Sequence, residues 1–166
     1  MVEDVVRALG YLPLGTRLKR IGERLQSDTQ RIVEAFGAPV PPALYPPLAA
    51  LDRLGPLGIG ELAEALGITQ PGATRSVAEL AKLGLVKSEA PPDDQRRRVI
   101  TLTEAGRAAV EQGRTVIWPR IEAAVRELCR DLPAGFLDQL GAIEDRLAER
   151  PLHRRVVDSS DDAPTR

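Results

Sequence analysis

The sequence predicts a mainly α-helical protein with one small β-hairpin, an α+β fold flanked by helices from both termini. Two observations predict this fold class. Apolar residues recur at helical spacing through most of the 166 residues, and only residues 85–102 combine alternating apolar residues with a proline-rich turn. A chain of this length can bury one packed core. We therefore expect a single small core with additional helices around it.

The N-terminal part predicts two helices. The first covers residues 14–36, after a short amphipathic start that Gly10 and Pro13 interrupt, and its apolar residues have a heptad-like spacing. Two consecutive prolines then open a second helix at about residues 46–54, since a proline is tolerated only where no amide donor is needed. We expect a turn of helix at Pro42 before it.

A helix, a tight turn and another helix come next, which is the helix-turn-helix pattern. The first of these helices begins at Gly60 and ends at Gly67, after a short strand at residues 57–59. Thr69 is placed to cap the second helix, and Pro71 falls in its first turn, where a missing amide costs little. The outer face of the second helix carries Gln70, Thr74, Arg75, Ala78 and Lys82.

The next residues predict a β-hairpin. LVKSEA favours a first strand, APPDDQ a turn and RRRVITL a second strand. Val99 and Leu102 anchor the second strand in the core, whereas three consecutive arginines precede them near the tip. A hairpin that directly follows a helix-turn-helix makes a winged helix.

Helical spacing returns at Thr103. One helix is expected to about Leu128, with a kink at Trp118-Pro119, and another runs to about Glu149. The chain beyond about Val157 is polar, lacks periodicity and is expected to be disordered.

The apolar faces of the first helix and the last two exceed what a winged helix can cover. A twofold homodimer is the simplest arrangement that covers them. The predicted organisation is therefore N-terminal dimerisation helices at residues 1–41, a winged helix-turn-helix at 42–103, C-terminal dimerisation helices at 104–150 and a polar, partly disordered tail at 151–166.

Composition excludes several classes of protein. The formal net charge is −1, so any basic surface must be local. Cys129 is the only cysteine, and no leader or run of about 18 apolar residues occurs, which predicts a soluble cytoplasmic protein without a membrane partner. Inert packing is the expected role of Cys129, and the single His153 makes no metal site. Without a Gly-rich phosphate loop, a His-Cys cluster or a nucleophile with its base, we predict no enzyme, no catalytic residue, no metal and no cofactor.

Two motifs resemble those of the MarR family of winged-helix transcription regulators. LAEALGITQPGATRSVAELAKLGLV, residues 62–86, is similar to the helix-turn-helix of that family. The wing signature, Asp-x-Arg followed by basic residues, alternating apolar residues and Leu-Thr-x-x-Gly, is matched from Asp94 to Gly106. With the flanking helices, the resemblance covers about residues 5–150. The chain departs from the family pattern at Pro46, Pro47, Gly72, Ala73 and Glu79.

The resemblance implies a homodimeric transcriptional regulator, a repressor, that binds a pseudo-palindromic operator in double-stranded DNA. The helix of residues 70–83 would enter the major groove, with Arg75 facing guanine and Gln70 facing adenine. Arg96 would insert into the minor groove, its direction fixed by Asp94, while Arg97 or Arg98 contacts phosphate. The predicted DNA-binding residues are Thr69, Gln70, Pro71, Gly72, Thr74, Arg75, Lys82, Asp94, Arg96, Arg97 and Arg98.

The resemblance further implies a small-molecule effector. Tyr11, Arg17, Tyr45 and Trp118 are candidates to line its crevice, although aromatic residues at helical spacing also fit a core role. The sequence is also compatible with a protein that does not bind DNA. The charged hairpin tip and the outer helix face fit plain solvation, and a winged helix can serve protein contact alone.

Overall fold

A computed structural model of the chain describes residues 2–38, 40–90 and 98–156. The chain divides into two compact units, Met1–Ala124 and Val125–Arg166. The predicted fold class is confirmed, because the described residues form helices and one two-stranded antiparallel sheet. None of the described helices is long and apolar enough to cross a membrane.

The first unit opens with two helices, α1 (Val5–Ala8) and α2 (Leu14–Ala35). Asp4 caps α1 by accepting a hydrogen bond from the Arg7 amide and is paired with Arg20 of α2 at 3.0 Å. The helix α2 has 22 residues, of which only Val33 is buried. The long first helix predicted from the heptad-like spacing is therefore confirmed, with most of its apolar face exposed in the single chain.

The proline-rich segment folds as predicted. A 3-10 turn at Pro42–Leu44 leads into α3 (Tyr45–Leu54), and both consecutive prolines lie in the first turn of that helix, where no amide partner is needed. Leu44, Leu48 and Leu51 are buried, so this short helix belongs to the core.

The helix-turn-helix consists of α4 (Ile59–Leu66) and α5 (Gln70–Lys82). The helix α4 begins one residue before the predicted Gly60, because the Glu61 carboxylate accepts a hydrogen bond of 2.7 Å from the Gly58 amide. Gly67 ends it in a left-handed conformation, with φ of 63°. The short strand predicted at residues 57–59 is reduced to a single β-bridge between Leu57 and Ile100.

The hairpin pairs β1 (Val86–Glu89) with β2 (Val99–Leu102), with Val86 opposite Leu102. Val99, Ile100 and Leu102 are buried, which confirms that β2 is anchored in the core. The predicted turn and tip, residues 91–97, lie outside the described residues.

The next helix, α6 (Glu104–Gln112), continues through a π-helical turn at Gly113–Ile117 into α7 (Trp118–Leu128). The sequence predicts a kink at Trp118-Pro119. The π-helical turn ends at Ile117, directly before that position. The Trp118 amide donates to the Gly113 carbonyl five residues back, and Gly113 leaves room for the Trp118 indole, which would lie 2.9 Å from a β-carbon at that position.

The core of the first unit brings together all these elements except α1. Its largest fully buried side chains are Val33, Val40, Leu48, Leu62, Leu80, Val110 and Ile117. The second unit holds the end of α7, α8 (Phe136–Glu149) and a 3-10 turn at Leu152–Arg155. No residue of α8 is buried, and Leu137, Ile143 and Leu147 are exposed.

Candidate nucleic-acid interface

The start of α5 is fixed by a side-chain cap. The Thr69 hydroxyl oxygen accepts a hydrogen bond of 3.3 Å from the Gly72 amide, and Pro71 lies in the first turn. Because the helix begins at Gln70, the register of every later residue around its axis is fixed.

The helix α5 has a buried side and an exposed side. Ala73 and Leu80 are completely buried, and Val77 packs against the core beside them. Thr74, Arg75, Ala78 and Lys82 are exposed on the opposite side. Along residues 40–90 and 98–124, neither Arg75 nor Lys82 forms an ion pair. Their positive charges are therefore available to an anionic partner, with Glu79 as the acidic residue on the same helix.

The predicted DNA-binding residues at the start of α5 occupy distinct places. Thr69 and Pro71 are exposed, and Gly72 is half-buried. Gln70 is exposed, but its amide nitrogen lies over Gly60 of α4, 3.3 Å from where a β-carbon would stand on that glycine. Sequence reasoning missed this contact because it joins two helices and has no local signal.

Thr74 uses its hydroxyl within the helix. Its Oγ1 donates a hydrogen bond of 2.9 Å to the Gln70 carbonyl oxygen, one turn earlier. Thr74 is nevertheless exposed, so its remaining surface faces outward.

The predicted wing residues are described only in part. Arg98 is exposed directly before β2, whereas Asp94, Arg96 and Arg97 lie outside the described residues. The binding roles given to all four stay predictions.

Behind α5, Thr103 joins the end of the helix-turn-helix to α6. Its hydroxyl donates to the Gly84 carbonyl oxygen at 2.7 Å and accepts from the Gly106 amide at 3.0 Å. Gly106 is required by close packing, since a β-carbon there would lie 2.0 Å from the Leu85 carbonyl oxygen. The Leu-Thr-x-x-Gly motif therefore connects the end of the helix-turn-helix to α6. The sequence spacing alone did not predict this structural role.

An open cleft of about 600 Å³ lies between α3, the hairpin and the start of α6. Three of its charged side chains already have partners within the protein. Lys87 pairs with Glu89 at 2.7 Å, Thr101 donates to Glu89, and Arg107 donates to the Leu102 carbonyl oxygen. The hydrogen bonds from Lys87 and then Thr101 hold the pKa of Glu89 below its usual range. None of the predicted effector residues lines this cleft.

Two of the four predicted effector residues meet at the edge of the core, where Tyr45 is buried and Trp118 is half-buried. The rings of Tyr45 and Trp118 form a T-shaped pair with centroids 6.0 Å apart, and burial raises the pKa of Tyr45. Tyr11 is 92% exposed and is not packed with them, and Arg17 is half-buried on α2. The Tyr45–Trp118 contact fits the core role, and the effector crevice stays a prediction.

The remaining candidate groups lie in the second unit. Cys129 is a half-buried free thiol, and His153 is exposed. Among the described residues, no three His, Cys, Asp or Glu side chains are grouped so that they could hold a metal ion.

Comparison with known proteins identifies the winged helix. A family model described as the MarR family matches residues 40–97, which include α3, α4, α5 and the first strand of the hairpin, β1. Over the matched residues, the winged helix of this chain is similar to that of the MarR family. The resemblance predicted from the two motifs is thereby confirmed.

A relative found by sequence agrees with this assignment. An uncharacterised HTH-type transcriptional regulator, YcgE of Bacillus subtilis (strain 168), is 26% identical over 99 residues, which is 60% of this chain. The match spans 62% of the length of YcgE, less than two thirds of that protein.

Solved structures share the fold over most of the chain. A transcriptional repressor, CouR, bound to a 23-mer DNA duplex is 28% identical, with a TM-score of 0.65 over 84% of this chain and 96% of CouR. A single-site mutant of MarR from E. coli, complexed with operator DNA, is 19% identical, with a TM-score of 0.68 over 87% of this chain and 99% of that one. At that identity the MarR comparison speaks for the fold alone.

Proposed function

We propose that this chain is a transcriptional regulator of the MarR family that binds double-stranded DNA in a sequence-specific manner. The observation that carries the proposal is the exposed side of α5. Arg75 and Lys82 lie there without an acidic partner among the described residues, opposite the fully buried Ala73 and Leu80. A rigidly packed helix with an available cationic face has the form that the major groove, about 12 Å wide, accepts.

Each exposed side chain has a chemical role in this proposal. Arg75 near the start of α5 pairs with the O6 and N7 atoms of guanine, a contact worth about 1–3 kcal/mol of discrimination. Lys82 at the end of the helix contacts a phosphate, which positions the protein without reading sequence. From the wing, Arg96 inserts into the minor groove, Asp94 fixes the direction of Arg96, and Arg97 or Arg98 contacts phosphate.

The regulator acts as a homodimer in this proposal. Four apolar residues of α2 recur every three or four positions and are 36% to 49% exposed in the single chain: Leu14, Leu18, Ile21 and Leu25. An apolar face of that length calls for a partner surface, and a second copy of the same chain closes the interface with twofold symmetry. Two α5 helices then read the half-sites of a pseudo-palindromic operator.

A repressor function is supported by the CouR repressor, which is 28% identical and was solved on a DNA duplex. The HTH-type description of YcgE agrees with a regulator. The proposal implies a cytoplasmic location and assigns no catalytic residue and no cofactor. Binding of a small-molecule effector stays a prediction. The candidate residues for its binding site are Tyr11, Arg17, Tyr45 and Trp118.

The proposal is tested by selection from a random pool of double-stranded DNA, followed by fluorescence anisotropy at two salt concentrations. We expect an enriched palindromic sequence, a steep loss of affinity with salt, and a further loss for Arg75→Ala. Arg31→Ala is the matched control, because Arg31 is a 78% exposed arginine on α2. If no sequence is enriched and no duplex is bound, the winged helix serves protein contact and the proposal is wrong.

A further inference from the structure

The hydroxyl proton of Thr74 is used inside the helix. The hydroxyl proton of a threonine can serve one acceptor, and here it is donated to the Gln70 carbonyl oxygen at 2.9 Å. Thr74 can therefore present to a partner its γ-methyl group and the acceptor lone pairs of its hydroxyl oxygen, but no free donor proton.

Two neighbours of Thr74 on the helix surface have side chains without a hydrogen-bond donor. Pro71 lies three residues before Thr74 and Ala78 four residues after it, so both are its neighbours on the helix surface, and both are exposed. The Gln70 amide, which could have served as a donor here, lies against Gly60 of α4. Arg75 is the nearest exposed side chain of α5 that carries a donor and no bond to the helix.

In the major groove, the C5-methyl group of thymine is the one apolar feature that a base pair displays, and it is absent from the other bases. A threonine whose hydroxyl proton is already donated can recognise this methyl group by apolar contact. It cannot donate a hydrogen bond to an acceptor atom of a base. We propose that Thr74 is the residue of α5 that recognises thymine, through contact between its γ-methyl group and the C5-methyl group of the base. This inference rests on the proposed DNA-binding function and names the base that Thr74 reads.

The test removes one methyl group at a time from each side of the contact. On the DNA side, each thymine of a duplex enriched from the random pool is replaced by uracil, which lacks only the C5-methyl group. For the wild type, we expect one thymine position in each half-site at which this change lowers the affinity roughly fourfold, the factor that burial of one methyl group contributes.

On the protein side, two variants separate the methyl group from the hydroxyl. Thr74→Ser keeps the hydroxyl and lacks the methyl group, whereas Thr74→Val keeps a methyl group and lacks the hydroxyl. We expect Thr74→Ser to bind the thymine and uracil duplexes equally and Thr74→Val to prefer thymine as the wild type does. Helix content by circular dichroism and the dimer mass check that both variants are folded.

Any of the following results overturns the inference. The inference is wrong if the wild type binds every uracil duplex as well as the thymine duplex, or if Thr74→Ser keeps the thymine preference. In both cases the proposed DNA-binding function is unaffected. Loss of thymine preference in Thr74→Val with retention in Thr74→Ser assigns the reading to the hydroxyl instead. Failure of the wild type to bind any duplex overturns the DNA-binding function and this inference together.

Discussion

The Thr103 hydroxyl donates a hydrogen bond of 2.7 Å to the carbonyl oxygen of Gly84, in the turn that follows α5. The Thr103 hydroxyl oxygen also accepts from the Gly106 amide, and the Thr103 amide donates to the Leu85 carbonyl oxygen. One residue thus caps α6 and ties its first turn to the end of the helix-turn-helix. The direction in which α5 leaves the core depends on this connection.

The closest packing at the connection involves Gly106, and we expect Gly106→Ala to be severely destabilising. The added β-carbon would lie 2.0 Å from the Leu85 carbonyl oxygen, a backbone atom that cannot swing away. Overpacking of this kind lowers the free energy of unfolding by about 3 kcal/mol or more. Urea unfolding measures the change. Gly15→Ala is the control, since no atom lies within 4 Å of its added carbon, and an equal loss in both variants would contradict the packing explanation.

The hydroxyl of Thr103 is expected to matter more than its methyl group. Thr103→Val removes the cap of α6 and the bond to Gly84 together, and should lower the free energy of unfolding by about 2 kcal/mol. Thr103→Ser retains both hydrogen bonds and should stay within about 0.5 kcal/mol of the wild type. Thermal unfolding of the two variants compares them directly, and similar midpoints would show that the hydroxyl contributes nothing.

The pair on the exposed face of the hairpin gives a prediction for pH. The pKa of Glu89 is held below its usual range first by the hydrogen bond with Lys87 and then by that with Thr101. Because the folded pKa lies below the unfolded one, the stabilising contribution is present above the unfolded pKa and disappears as pH falls through the folded pKa. In an NMR titration, Lys87→Met should raise the pKa of Glu89. Lys82→Met removes a positive charge from α5 and should leave the pKa of Glu89 unchanged. Equal effects of the two variants would contradict the role of the Lys87–Glu89 pair.

The parts of the fold that sequence could predict are those with local signals. Thr69 predicts the start of α5, and the consecutive prolines predict the start of α3. The alternation of apolar residues predicts β2. The π-helical turn at Gly113–Ile117 could be predicted only as a kink near Pro119, because its position depends on where the Trp118 indole packs.

In the candidate site, too, the features with local sequence signals could be predicted and those that depend on tertiary packing could not. The exposed positions of Arg75 and Lys82 follow from helical periodicity once the cap is known. The position of the Gln70 amide over Gly60 depends on how α4 and α5 cross, and the engaged hydroxyl of Thr74 depends on one rotamer, neither of which a sequence pattern contains. The wing residues Asp94, Arg96 and Arg97 lie outside the described residues, so their roles stay predictions.

The exposed apolar face of α2 predicts how the proposed homodimer can be broken. Ile21 is 49% exposed and lies on the same face as Leu14, Leu18 and Leu25. Ile21→Asp places a charge in a surface that must lose its water on association, and a buried unpaired charge is costly, so we expect a monomer at concentrations where the wild type is a dimer. Sedimentation velocity measures the mass, and circular dichroism checks that the helices persist.

Lys19→Asp is the matched control for this experiment. Lys19 lies on the opposite side of α2, is 77% exposed and pairs only loosely with Glu23 at 3.8 Å, so the same new charge there should leave the mass unchanged. Dissociation of both variants would point to a general loss of helix stability. A dimer in both would place the interface elsewhere, and would leave the exposed leucines of α2 without an explanation. Because twofold DNA binding requires two α5 helices, the Ile21→Asp monomer should also bind an enriched palindromic duplex far more weakly than the Lys19→Asp dimer does.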